Sequence, residues 1–94
     1  MLLKNKVAVL TGCNKGIGKE ILKLFSENKA KVYACVRKID DGFLQDIKVI
    51  EKNNQNKIIP IEFDLNNEIE VKNAANQIIK TKKKIDIIVN NAGS

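Results

Sequence analysis

The sequence predicts a doubly wound α/β domain, with helices on both faces of a parallel sheet. Apolar runs of strand length alternate with segments of helical apolar periodicity along all 94 residues. That alternation is typical of repeated β-α units and of a parallel sheet. A glycine-rich segment from Thr11 to Gly18 follows the first apolar run, where the chain must turn tightly from a strand into a helix.

The first β-α unit begins at the N-terminus. Lys6–Leu10 is a short continuous apolar run, as expected of a parallel strand buried on both faces. A helix is predicted next, because Ile17, Ile21 and Leu24 lie at positions i, i+4 and i+7.

The second unit repeats this order. Its strand is predicted at Lys31–Val36, and either Asp40 or Asp41 can cap the helix that follows. The apolar positions of that helix again have helical spacing, at Phe43, Ile47 and Ile50.

The third unit carries the one proline. Pro60 lies in the predicted strand Ile58–Phe63 and cannot donate to a ladder, which favours an edge strand and agrees with a strand order of 3-2-1-4. A helix is predicted from Asn67, with Glu70 completing a capping box. Its predicted buried positions are Val71, Ala74, Ala75 and Ile78. A fourth strand is predicted at Ile85–Val89.

The charge of the chain raises the question of nucleic-acid binding. The formal net charge is +6, and the densest basic run is Lys80 and Lys82 to Lys84. This run closes a predicted helix, where cations interact favourably with the helix dipole, and no aromatic residues are interleaved to stack on bases. We therefore expect a solvated helix end and no nucleic-acid partner.

Metal and membrane sites are also not expected. Cys13 and Cys35 form no CxxC pair and the chain has no histidine, which argues against a zinc site. The apolar run after the basic N-terminus is too short for a signal peptide or a membrane span. A cytoplasmic protein with reduced thiols is the expectation.

The glycines of the first turn match neither of two well-known phosphate-binding patterns. A P-loop would need a glycine at the position of Cys13 and a hydroxyl residue at that of Glu20. The GxGxxG pattern would need a third glycine at the position of Ile21. What remains is TGxxxGxG: Gly12 permits the tight turn, Gly16 lets the backbone approach a pyrophosphate, and Gly18 lets the helix pack on the strand.

Three motifs together resemble the short-chain dehydrogenase/reductase family. They are the TGxxxGIG turn at residues 11–18, Asp64-Leu65 after the third strand, and Asn90-Asn91-Ala92-Gly93 after the fourth. The resemblance covers the whole chain. Within the family, the chain is similar to 3-oxoacyl-acyl-carrier-protein reductases and carbonyl reductases. It implies a Rossmann-like fold, of which residues 1–94 would be the NADP-binding portion.

The resemblance also implies cofactor contacts. The phosphates would lie against the glycine turn, comprising Gly12, Cys13, Asn14, Lys15, Gly16, Ile17 and Gly18. Asp64 and Leu65 would contact the adenine, although Asp64 could instead cap or end the strand. The nicotinamide-side ribose would meet the backbone of the last motif, at Asn90, Ala92 and Gly93.

The end of the second strand predicts NADP as the cofactor. A site selective for NAD places an acid there, but this chain has Val36 followed by Arg37. The Arg37 guanidinium can bind a 2′-phosphate, and Lys15 would add a second positive charge. The alternative is that Lys15 is solvated and Arg37 pairs with Asp40 or Asp41.

The family reduces a carbonyl or oxidises an alcohol, using a serine and a Tyr-x-x-x-Lys motif beyond NNAG. In this chain the one tyrosine, Tyr33, is followed four residues later by Arg37. We therefore expect no catalytic residue in the 94 residues and an inactive chain, with a small-molecule substrate bound by a C-terminal part that is missing. A homo-oligomer is implied for the full-length form. The alternative is a non-catalytic dinucleotide-binding module or a truncated gene product.

Overall fold

A computed structural model of the chain describes residues 2–82 and 84–91, except the side chain of Lys82. Strands and helices alternate along it as β1 Val7–Thr11, α1 Gly16–Glu27, β2 Lys31–Val36, α2 Asp41–Asn54, β3 Ile58–Glu62, α3 Glu68–Lys82 and β4 Ile87–Asn90. Every predicted element is present, and most bounds differ from the prediction by one or two residues.

The strands form one parallel sheet in the order β3-β2-β1-β4, which confirms the predicted topology. Pro60 lies opposite Ala34 on the edge strand β3, as its missing N–H required. The register pairs Thr11 at the end of β1 with Cys35 of β2 on one side and Asn90 of β4 on the other. The carboxyl ends of these strands therefore meet at one edge of the sheet.

Helices cover both faces of the sheet. Side chains of α1 and α2, including Leu22 and Ile47, pack against Leu10 and Ala34 on one face. On the other face, Ile78 of α3 packs in a second cluster that includes Tyr33. Tyr33 is 1% exposed within β2, and its hydroxyl has no hydrogen-bond partner among the described residues. Its predicted place in a strand is confirmed.

The predicted buried stripe of α1 is correct for Ile21, which packs against the core, but wrong for its two other positions. Ile17 and Leu24 are 73% and 55% exposed. The fully buried positions of the helix are Gly18, Leu22 and Ser26, one or two residues further on. The reason lies in Gly18, because its lack of a side chain lets this face of the helix approach β1 most closely.

The helix starts follow the predicted capping chemistry. Of the two candidate aspartates, Asp40 is the N-cap of α2, and its Oδ1 accepts from the Phe43 amide at 2.8 Å. At α3, Asn67 Oδ1 accepts from the Glu70 amide at 3.1 Å. The Glu70 carboxylate accepts in return from the Asn67 side-chain amide at 3.0 Å, whereas a standard capping box uses the backbone N–H.

One predicted core position of α3 is wrong. Ala74 and Ile78 are buried and Val71 is half-buried, but Ala75 is exposed. In a helix the next residue lies about 100° further round the axis, so Ala75 falls outside the narrow stripe that faces the sheet.

Candidate functional site

A cleft of about 800 Å³ opens at the carboxyl end of the sheet, where the segments after β1, β2 and β3 converge. In the order β3-β2-β1-β4, the connection from β1 leads to β2 on one side, and β4 is added on the other. Such a topological switch point is where open α/β sheets bind ligands.

Most of the predicted cofactor-binding residues line this cleft. From the predicted set these are Gly12, Asn14, Lys15, Gly16, Ile17, Arg37, Asp64 and Leu65. They come from three separate segments between residues 12 and 65, and the parallel sheet brings them together.

The start of α1 has features that favour the binding of an anion. Lys15 is the N-cap, has an extended backbone and makes no side-chain cap hydrogen bond among the described residues. The first amides of the helix are therefore not satisfied by a cap side chain, and free amides at a helix N-terminus bind phosphate well. Gly16 has a φ of +57°, and a Cβ added there would meet no atom within 4 Å. The backbone is thus open to close approach by a ligand.

Gly18 has a packing role and is not in the wall of the cleft. A Cβ at this position would lie 2.0 Å from the carbonyl oxygen of Gly12 and 2.8 Å from the side-chain nitrogen of Asn91. The same Asn91 side chain donates to the Gly12 carbonyl at 3.2 Å. The glycine turn is therefore fastened from β4 and can form only where position 18 has no side chain.

The motif after β4 supports the turn through its two asparagines. Thr11 Oγ1 donates to Asn90 Oδ1 at 2.9 Å and accepts from the Asn91 amide at 3.0 Å. Asn91 lines the cleft, whereas the predicted Asn90 holds β1 to β4 beside it. Asn91 was missed, although the repeated asparagine of the motif was a signal for it. Ala92 and Gly93 lie outside the described residues, so their predicted contacts stay predictions.

Cys13 has its side chain in the core. It is 1% exposed, and its Sγ donates weakly to the carbonyls of Leu10 and Cys35. Burial raises the pKa of the Cys13 thiol to about 11 and that of Cys35 to about 12. The two side chains pack in different clusters on opposite faces of the sheet. Unlike its neighbours Gly12 and Asn14, Cys13 does not line the cleft.

The segment after β2 brings positive charge to the cleft. Arg37 and Lys38 both line it, and Lys38 was not predicted although it is the adjacent basic residue. The segment is held to β3, because the Ile39 amide donates to a Glu62 carboxylate oxygen at 2.7 Å. Arg37 Nη2 lies 3.6 Å from Asp64 Oδ2, so its ion-pair partner is Asp64 and not Asp40 or Asp41, which the alternative interpretation named.

Comparison with known proteins decides the family. The family model for short chain dehydrogenases matches residues 6–94. The chain belongs to this family. The resemblance that the three motifs predicted is thus confirmed.

The short-chain dehydrogenase relatives are much longer than this chain. A short chain dehydrogenase/reductase of Colletotrichum higginsianum is 35% identical over 95 residues, covering 97% of this chain and 23% of that protein. Retinol dehydrogenase 11 of Mus musculus is 33% identical over 93 residues, covering 97% of this chain and 29% of that protein. The chain therefore spans less than a third of the length of these curated relatives.

A solved short-chain dehydrogenase structure shows the same fold. L-sorbose reductase of Gluconobacter frateurii, complexed with NADPH and L-sorbose, superposes with a TM-score of 0.88 at 26% identity. The match covers 100% of this chain and 35% of that one.

Over residues 2–82 and 84–91, no helix is both long and apolar enough to cross a membrane. The same part of the chain contains no cluster of three or more histidine, cysteine or acidic side chains able to hold a metal ion.

Proposed function

We propose that this chain forms the NADP(H)-binding portion of a short-chain oxidoreductase that reduces a carbonyl, or oxidises the alcohol, by hydride transfer. The observation that carries the proposal is a set of three basic side chains in the lining of the cleft, which outnumber the carboxylates there, Asp40 and Asp64. Arg37 follows β2 at the place where an NAD-selective site has an acid nearby, and Lys15 and Lys38 line the same cleft. The NADPH complex of L-sorbose reductase supports this choice of cofactor.

The residues present fit such a cofactor. The open cradle at Gly16 and the amides at the start of α1 would hold the pyrophosphate. Arg37 would hold the 2′-phosphate through charge-assisted hydrogen bonds, with Lys15 and Lys38 adding positive potential. Asp64 and Leu65 would border the adenine. When bound, the nicotinamide supplies the hydride.

Cofactor titration tests the proposal. NADP⁺ and NAD⁺ are titrated calorimetrically into the chain, into Arg37→Ala, and into Lys72→Ala as a control. Lys72 lies on α3, pairs with Glu68 at 3.5 Å and is not in the cleft. Arg37→Ala should cost NADP⁺ roughly 1.5–3 kcal/mol, the usual value of a hydrogen bond to a charged group, and leave NAD⁺ almost unchanged. Equal affinity for the two cofactors in the unmodified chain would refute the assignment.

We propose further that the 94-residue chain has no turnover by itself. In the family, the proton donor is the tyrosine of a Tyr-x-x-x-Lys motif, and the one tyrosine here is buried in β2. Hydride transfer to a carbonyl without a positioned proton donor is slow. Sustained NADPH oxidation with a ketone by the purified chain would refute this. A dinucleotide-binding module without catalysis is the alternative. It also predicts that the chain binds the cofactor and has no turnover.

Self-association is proposed as well. Ile88 on the edge strand β4 is 68% exposed, and exposed apolar edges favour association. Light scattering and size exclusion at micromolar concentration should show oligomers, and a compact monomer would contradict the proposal. A cytoplasmic location stays a prediction.

A further inference from the structure

We propose that Asp64 competes with the 2′-phosphate of a dinucleotide for Arg37 and so limits how strongly this cleft prefers NADP over NAD. The proposal rests on the proposed function, because it assigns a role within the same cleft. It concerns the ion pair between the Arg37 guanidinium and the Asp64 carboxylate.

The geometry shows which of the two side chains can move toward a phosphate. Arg37 Nη2 is 3.6 Å from Asp64 Oδ2, and both residues line the cleft. The Arg37 side chain is 80% exposed, whereas that of Asp64 is 31% exposed. The guanidinium is therefore the partner that is free to reorient.

Asp64 is held in place from three positions close in sequence. Its Oδ1 accepts from the Asn66 amide at 2.9 Å, and its own amide donates to Glu70 Oε1 at 3.0 Å. The Asp64 carbonyl also accepts from the Asn67 amide at 2.9 Å. Oδ2 is the oxygen that remains directed at Arg37. A phosphate that binds Arg37 must then share the guanidinium with a fixed carboxylate and bear its repulsion.

Asp64→Asn removes this charge and keeps a carbonyl oxygen that can accept from Asn66. The probes are 2′,5′-ADP, which carries the 2′-phosphate, and 5′-AMP, which does not. An exposed ion pair of this kind supports an effect of about two- to fivefold. We expect Asp64→Asn to raise the affinity for 2′,5′-ADP relative to that for 5′-AMP by that factor, because a changed contact with the adenine affects both probes alike.

A double-mutant cycle with Arg37 separates direct competition from a general charge effect. Asp64→Asn should bring no gain for 2′,5′-ADP in the Arg37→Ala background. Glu68→Gln, which removes one negative charge on α3 outside the cleft, should bring none in the unmodified background. Thermal unfolding followed by circular dichroism verifies that each variant is folded.

The outcomes distinguish this proposal from the proposed function. If the unmodified chain prefers 2′,5′-ADP but Asp64→Asn does not increase the preference, the competition is wrong and the cofactor assignment stands. A gain that persists with Arg37→Ala, or that Glu68→Gln reproduces, also overturns the competition. If the unmodified chain binds both probes equally, both proposals fail.

Discussion

The hydroxyl of Thr11 donates to Asn90 Oδ1 over 2.9 Å and joins the ends of β1 and β4, which lie 79 residues apart in sequence. The same oxygen accepts from the Asn91 amide at 3.0 Å. One side chain thus fastens the fourth strand and orients Asn91, whose side chain holds the Gly12 carbonyl. The shape of the glycine turn therefore depends on a contact outside the turn.

Thr11→Val tests this contact, because valine keeps the shape of the side chain and removes the hydroxyl. We expect a loss of roughly 1–3 kcal/mol in the free energy of unfolding, since Thr11 is buried and both hydrogen bonds of its hydroxyl to Asn90 and Asn91 are lost. Thr81→Val is the control: its hydroxyl donates to the Gln77 carbonyl on the exposed face of α3. Urea unfolding measures the stability of both variants. Equal losses in the free energy of unfolding would show that the β1–β4 contact contributes no more than an exposed hydrogen bond on a helix.

Gly18→Ala tests the close approach of α1 to β1. The added Cβ would lie 2.0 Å from the Gly12 carbonyl oxygen, so the helix must move away. Overpacking of this kind costs about 1–3 kcal/mol, and the moved helix should also weaken cofactor binding. Gly42→Ala is the control, since its Cβ would meet only Asp40 Oδ1 at 3.5 Å, and it should be neutral or stabilising by up to about 1 kcal/mol. A Gly18→Ala protein as stable as the unmodified chain would contradict this packing.

Asp86 should make stability depend on pH in the acid range. The Val7 amide donates to its carboxylate at 2.8 Å and, together with Lys84 and Lys6, holds the pKa of Asp86 below its ordinary value of 3.8. A lowered folded-state pKa gives stability that is fully present above the unfolded pKa and is lost as the pH falls through the folded one.

The comparison is with Asp86→Asn, which cannot titrate. Urea midpoints measured at pH 7, 5 and 3 should show the unmodified chain to be more stable than Asp86→Asn at pH 7. The difference in stability between the two proteins should shrink toward pH 3. A difference that stays constant over this range would show that the Asp86 charge does not contribute.

The two cysteines should be inert in the folded chain. With pKa values raised to about 11 and about 12, little thiolate exists at pH 8, and both side chains are 1% exposed. Alkylation by iodoacetamide, followed by mass spectrometry, should label neither thiol until urea unfolds the chain and then label both. Rapid labelling of Cys13 before unfolding would mean that the glycine turn opens readily.

Much of this protein could be predicted from local residue patterns. The continuous apolar runs predicted parallel strands, Pro60 predicted an edge, and Asp40, Asn67 and Glu70 predicted the helix starts, because each property depends on residues close in the chain. The cleft residues of the glycine turn were likewise predictable, since the turn needs glycine at specific positions.

What only the tertiary structure decided depends on neighbours distant in sequence. The buried face of α1 follows from the contact between Gly18 and Gly12, which overrode the most apolar stripe. Arg37 had charged neighbours at Asp40 and Asp41 in sequence, yet the parallel pairing of β2 and β3 brings the end of β3 beside it, and Asp64 lies 3.6 Å away instead. Side-chain partners across a sheet are set by strand order and register, and hydrophobic periodicity carries no information about which charges will then face one another.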